Sequence, residues 1–263
     1  MRPLNISAIS FLNTAPLMWD FEHDPTPELV QNFHIDYTVP ALCAQSLREG
    51  TGDIGIIPVI TTATIPGLVV LPDVAIASLN KVWSILLVTS KPLEEIRTVA
   101  VDTSSRTSVG LTQVLLTKFF GGHRELTPMA PVLKPMLELC DAALLIGDAA
   151  LMADTSGLRA YDLAEVWRQK TGLPFVFAVW ALRRGIENRE LRGELRGARR
   201  YGMENLDEII VNREEFDEDF RRDYFEWHIQ YFLAEDEKRA IEKFSQLLDK
   251  YGLGPVFPPK YVR

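Results

Sequence analysis

The chain has 263 residues, 47% of them hydrophobic, enough to bury a sizeable core as one large domain or two lobes. Its 36 acidic against 28 basic residues give a net charge of -8, which argues against a general nucleic-acid surface or an anionic-membrane surface, so an anionic ligand must be held locally. The start, Met1-Arg2-Pro3-Leu4, opens no long apolar run with a small-residue cleavage site, and no segment approaches the roughly 20 apolar residues of a membrane helix, so a cytoplasmic protein is expected.

Leu4 to Ile9 alternates apolar and small polar residues and reads as a first strand, feeding a loop and helix at Ser10-Phe11-Leu12-Asn13-Thr14-Ala15-Pro16-Leu17. A second extended run, Phe33 to Pro40, leads into a short helix over 41–49 that ends at Gly50, a C-cap glycine. Asp53-Ile54-Gly55-Ile56-Ile57-Pro58 follows as a buried strand, and this strand-helix-strand order predicts parallel pairing in an α/β sheet. Residues 68–71 and 74–78 read as two further short strands, and 82–89 is the strongest β run of the chain. Ser90-Lys91-Pro92 marks a boundary, after which the pattern restarts: strand 98–101, helix from about 105 to 120, a glycine turn at Gly121-Gly122 and a buried strand at Ala142 to Ile146. Residues 173–181 are β-like. Beyond Trp180 the chain is mostly helical, with Phe225, Ile229 and Phe232, then Ile241, Phe244, Leu248 and Tyr251, spaced by threes and fours.

This order predicts two lobes, one from residues 1–89 plus 182–263 and one from 90–181, with crossings near 88–92 and 180–184 and a ligand cleft between them. Two crossings lead to the expectation of a hinge that closes over ligand. Cys43 and Cys140 lie far apart outside any Cys-x-x-Cys pattern and read as buried thiols. The motifs of nucleotide, zinc-protease and calcium sites are absent, so no metal or cofactor is expected.

The stretch Val101-Asp102-Thr103-Ser104-Ser105-Arg106-Thr107-Ser108 reads as strand, hydroxyl-rich turn and helix start. Uncapped N–H groups at such a start carry partial positive charge, so the turn is either a well-capped helix and nothing more or a seat for a carboxylate or phosphate.

Five blocks occur in a family-like order: 10–17, 53–58, 101–108, Ile146-Gly147-Asp148-Ala149-Ala150-Leu151, and Thr171-Gly172-Leu173-Pro174 through Trp180. In these blocks the sequence resembles the chorismate dehydratases of the futalosine route to menaquinone, strongly over about 4–182 and weakly beyond. Thr61-Thr62 and Asn80 depart from that pattern. The resemblance implies an α/β, two-lobed type II periplasmic-binding-protein-like fold with the ligand cleft between lobes. It implies a cofactor-free hydro-lyase that removes water from chorismate to give 3-[(1-carboxyvinyl)oxy]benzoate.

A substrate with two carboxylates needs anion anchors, and the turn offers Thr103, Ser104, Ser105 and Thr107 with backbone N–H groups; Arg106 either pairs with a carboxylate or faces solvent. Asn13 lies just beyond the first strand, either as a donor to the departing C4 hydroxyl or a carboxylate, or as an Asx-turn residue of the Pro16 loop. Ser84 shares a strand face with Val82 and Leu86, and is either a site hydroxyl or a buried hydroxyl bonded to backbone. Asp148 is a helix N-cap, a polar cleft contact, or both. Asp53 and Asp102 are read as organising turns, and the four histidines share no motif.

Asn13 and Ser84 are therefore the candidate catalytic pair, with the substrate's own enolpyruvyl carboxylate as base. The alternatives are a sensor module of the same fold that holds a dicarboxylate without turnover, and the later lyase of the same pathway, whose Ser-Pro-Cys-Pro-Asn type opening Ser10-Phe11-Leu12-Asn13 does not match. The sequence does not set the oligomeric state.

Overall fold

The structure, a computed structural model, describes residues 2–23, 25–102, 106–254 and 256–262. In chain order it runs β1 (Leu4–Ile9), a 3-10 turn at Leu12–Thr14, α1 (Ala15–Glu22), α2 (Pro27–Asn32), β2 (Phe33–Thr38), α3 (Pro40–Glu49), β3 (Ile54–Pro58), α4 (Val59–Thr64) and β4 (Leu68–Ser78). The middle of the chain forms β5 (Ile85–Thr89), β6 (Thr98–Val101), α5 (Arg106–Phe119), β7 (Glu125–Pro128), α6 (Leu133–Leu139), β8 (Ala142–Ile146), α7 (Gly147–Leu151), β9 (Arg159–Asp162) and α8 (Leu163–Thr171). Then follow β10 (Phe175–Arg183), α9 (Arg189–Glu204), α10 (Leu206–Asn212), α11 (Glu218–Asp223), a π-helical turn at Tyr224–His228 and α12 (Glu235–Lys250).

Two five-stranded sheets result, ordered β2-β1-β3-β10-β4 and β7-β6-β8-β5-β9. β1 pairs parallel with β2 and β3, as the strand-helix-strand order predicts, and Gly50 caps α3 in the left-handed conformation at φ 78°. β10 runs antiparallel between β3 and β4 in the first sheet, and β5 runs antiparallel between β8 and β9 in the second. The chain therefore changes sheet before β5 and again before β10, and not at 88–92 and 180–184. Ser90-Lys91-Pro92 is a turn inside the second unit. An apolar run signals burial, whereas its sheet is chosen by partners far away in sequence.

Two more expectations are corrected. Residues 68–71 and 74–78 form one strand, bent at Asp73, whose φ is 76°, with register shifts against β10. Phe232 is not on a helical apolar face: the chain leaves the π turn extended, Gln230 exchanges backbone hydrogen bonds with Ala77 at the end of β4, and Phe232 is exposed beneath Arg199.

Buried residues of both sheets share one large apolar cluster. At the seam Trp167 of α8, Phe175 of β10 and Phe244 of α12 meet edge to face, with centroids 5.2–6.1 Å apart. α12 thereby packs on β10 of one sheet and α5 of the other. Asp53 has no solvent exposure, and in place of organising a turn its carboxylate accepts from Arg2, from the Asn5 N–H at 2.9 Å and from Arg183, tying β1, β3 and β10 together at the end away from the cleft. Cys43 and Cys140 are buried free thiols, and burial pushes the Cys43 thiol up to about 12. Among the described residues no helix is long and apolar enough to cross a membrane.

Candidate active site

The carboxyl ends of β1 and β3 and the facing parts of β4 and β10 meet the start of β5 and the end of β8 around one cavity. Such strand ends are where α/β proteins build sites. Its wall is mostly apolar, with Ile9, Pro58, Ile76 and Phe177 from the first sheet and Ile85 and Ile146 from the second; Asn13, Thr14 and Ser84 supply the polar side chains. Asn13 thus follows a strand of the first sheet, Ser84 precedes a strand of the second, and both line the same space.

Asn13 sits in the 3-10 turn between β1 and α1. Thr14 secures that turn by donating its hydroxyl to the carbonyls of Ile9, at 2.5 Å, and Phe11, at 2.7 Å. Pro16 stands in the first turn of α1, where its missing N–H costs no helical hydrogen bond. From the C-terminal segment, the Tyr231 hydroxyl donates to the Asn13 carbonyl at 2.9 Å.

Ser84 immediately precedes β5 and is 3% exposed. Its backbone is held on several sides. Trp83 adopts φ 60°, a left-handed conformation costly for a bulky side chain, and its ring stacks on His228 at 3.6 Å. The Asp162 carboxylate accepts from the Val82 and Trp83 N–H groups at 2.8 and 2.7 Å while capping α8 through the Ala164 and Glu165 N–H groups. Ser84 N–H donates to the Val82 carbonyl at 2.7 Å, and Gly147 N–H donates to the Ser84 carbonyl at 2.8 Å. Ser84 therefore stands where the chain crosses between sheets, outside the regular alternation of a strand.

Tyr224 joins the two candidates. Its hydroxyl donates to Ser84 Oγ at 3.0 Å, and the Asn13 side chain hydrogen-bonds the same phenol. Burial pushes the phenol up to about 12; the Ser84 and Asn13 contacts oppose that shift, and the charges of Asp148 and Asp162 add to it. The phenol is thus a neutral donor at physiological pH. Tyr224 has no motif around it, and Asp-Tyr-Phe-Glu-Trp-His reads as one more amphipathic turn; its π-helical form, often found at functional sites, is visible only in three dimensions.

The remaining predicted residues are placed differently. Thr103, Ser104 and Ser105 lie outside the described residues. Thr107 is buried, and its hydroxyl accepts from the Ile60 N–H at 3.3 Å, joining the starts of α5 and α4. Arg106 is exposed and borders a separate cavity with Ile60, Val109, Gly110 and Leu253. Asp148 makes no cap hydrogen bond, because α7 already begins at Gly147 and Ile146 holds the N-cap position. Its exposed carboxyl is raised by partial desolvation and by Glu215, against the pull of Arg213. Among the described residues no three His, Cys, Asp or Glu side chains converge as a metal-ligand set.

The family model described as menaquinone biosynthesis matches residues 4–250. The chain belongs to this family. Among curated members is the chorismate dehydratase of Thermus thermophilus, 30% identical over an alignment of 291 positions that takes in 99% of this chain and all of the relative. Solved structures give the fold of this family member. A protein of Archaeoglobus fulgidus superposes with a TM-score of 0.77 at 17% identity, covering 95% of this chain and 98% of its own. The periplasmic aliphatic sulphonate binding protein SsuA of Escherichia coli gives 0.68 at 13%, covering 100% and 94%. A Candida albicans gene product described as having the generic periplasmic binding protein fold gives 0.61 at 12%, covering 96% and 91%. The fold is that of periplasmic binding proteins.

Proposed function

We propose that this chain is a chorismate dehydratase, a carbon–oxygen lyase that converts chorismate to 3-[(1-carboxyvinyl)oxy]benzoate and water in the futalosine route to menaquinone, in the cytoplasm and without a cofactor. The observation that carries the reading is the end-to-end match to the Thermus thermophilus enzyme. The cavity supports it: an apolar wall suits a carbocyclic ring, and the hydrogen-bonding side chains of Asn13 and Ser84 line it.

The elimination breaks the C3–H and C4–O bonds. The C3–H electron pair becomes a ring double bond, and the C4 hydroxyl departs with its pair, takes a proton and leaves as water. Conjugation to the ring carboxylate acidifies the C3 proton, and aromatisation pulls the reaction forward. Among the described residues that line the cavity none is ionisable. The base is accordingly assigned to the substrate's enolpyruvyl carboxylate, while Ser84 and Asn13 donate to the departing hydroxyl in a site of low dielectric. Thr103, Ser104 and Ser105, which lie outside the described residues, are assigned a substrate carboxylate.

The cavity holds about 70 Å³, roughly half of the 150 Å³ that accommodates benzene in an engineered apolar cavity. Chorismate is larger than benzene, which suits a hinge that opens for the substrate and closes over it.

Incubating purified protein with chorismate, following the ultraviolet absorbance and weighing the product tests the reading. A product lighter by one water, formed without added cofactor, is expected, with kcat lowered about 100-fold or more in Ser84→Ala and Asn13→Ala. Binding of chorismate without turnover would instead favour a sensor, a reading supported by the likeness to SsuA.

A further inference from the structure

We infer that Tyr224 is a positioning residue of the dehydration: by donating to Ser84 Oγ it turns the Ser84 hydroxyl hydrogen into the cavity, toward the leaving oxygen. The inference rests on the proposed dehydration and adds a third participant to it.

The backbone around Ser84 leaves little freedom. Asp162 holds the two preceding N–H groups, Gly147 N–H holds the Ser84 carbonyl, and Trp83 is locked in a left-handed conformation. What remains to be set is the direction of the hydroxyl hydrogen. A serine hydroxyl has one hydrogen and two acceptor lone pairs. Among the described residues its hydrogen-bond partner is Tyr224, which donates to it. With one lone pair engaged and no acceptor competing among the described residues, the hydrogen points to whatever occupies the cavity that Ser84 lines.

Tyr224 is suited to this task. It is 1% exposed and does not itself line the cavity, so it acts through Ser84 and not on substrate. Its ring is stacked parallel to Phe220, with centroids 5.9 Å apart, which fixes the phenol axis. An amide N–H of Asn13, whose side chain reaches the phenol oxygen, can donate to it and leave the phenol hydrogen for Ser84. The result is a directional chain from Asn13 through Tyr224 to Ser84. Each link polarises the next, so the last hydroxyl is a stronger donor than an isolated serine. The chain also spans the two halves of the molecule, since Asn13 follows a strand of the first sheet and Ser84 leads into the second.

The test is steady-state kinetics of Tyr224→Phe, alone and in a Ser84→Ala background, with wild-type turnover of chorismate measured first. Tyr224→Phe is expected to lower kcat about 10- to 100-fold, less than loss of a direct donor, with KM within about 2-fold of wild type. In Ser84→Ala the same change should lower kcat by less than about 2-fold, because there is no hydroxyl left to orient. Equal losses of kcat in both backgrounds, or a Tyr224→Phe kcat within about 2-fold of wild type, would overturn the inference while leaving the dehydration intact. Wild-type protein without turnover would overturn both. Should Tyr224→Phe fail to fold, 3-fluorotyrosine placed at 224 keeps the packing and strengthens the donor. It should raise kcat with an unchanged melting temperature, and an unchanged kcat refutes the role.

Discussion

Gly202→Ala is the sharpest probe of how packing supports the site. Gly202 is buried in α9 against α1, and a Cβ built there would lie 1.8 Å from the Pro16 carbonyl oxygen and 2.6 Å from its carbon. Ordinary contact begins at 3.4 Å, so the two helices must separate by roughly 1.5 Å against backbone atoms that cannot rotate away. Overpacking of this kind costs about 1–3 kcal/mol, and the higher helix propensity of alanine returns about 1 kcal/mol. The net loss should reach up to about 2 kcal/mol, a fall in melting temperature of up to roughly 6 °C for a chain of this size. Gly193 and Gly197 of the same helix meet nothing within 4 Å, so their alanine variants carry the propensity term alone and should gain about 0.5–1 kcal/mol each. Pro16 lies three residues after Asn13, so Gly202→Ala should also lower kcat, which the other two leave unchanged. Urea unfolding of the three variants reads the stabilities directly. A Gly202→Ala protein as stable as Gly197→Ala would show that α1 and α9 are not in the close contact described.

Asp162→Ala removes a carboxylate that accepts four backbone N–H groups, two capping α8 and two before Ser84. Loss of the cap and two orphaned donors should cost about 3 kcal/mol in urea unfolding and lower kcat as well; an unchanged kcat would sever the clamp from the chemistry. Asp141 supplies a pH signature. The hydrogen bond from Lys91 and the N–H groups of Arg97 and Thr98 pull its carboxyl down to about 2, against a smaller opposing effect of burial. A carboxyl lowered by folding contributes stability above its unfolded pKa and loses it as the pH falls from about 4 through 2. Lys91 is 44% exposed, so solvent screening holds the contribution to about 1 kcal/mol. Wild type should exceed Asp141→Asn by that margin at neutral pH and lose the advantage near pH 2; a constant difference across the range would refute the assignment.

Local periodicity and capping determined much of the secondary structure before any fold was drawn. β1, β3, β6, β8 and the α3–Gly50 cap follow from alternation, apolar runs and a glycine that alone enters a left-handed turn without strain. Asn13 was legible as a candidate because a family-like block and the end of the first strand point to it, and Ser84 because a hydroxyl is out of place within a strong β run, though each retained an ordinary structural alternative. Only the tertiary structure decided which sheet β5 and β10 join, since both are apolar runs whose partners lie far off in sequence. It separated Arg106 and Thr107 from the cavity, released Asp148 from a capping role, and turned Ser84 from a strand residue into one held at a crossing. Tyr224, 140 residues from Ser84 along the chain, was beyond sequence reasoning altogether. Periodicity reports which face of an element is buried, whereas a hydrogen bond between distant side chains exists only after both sheets and the C-terminal helices have packed.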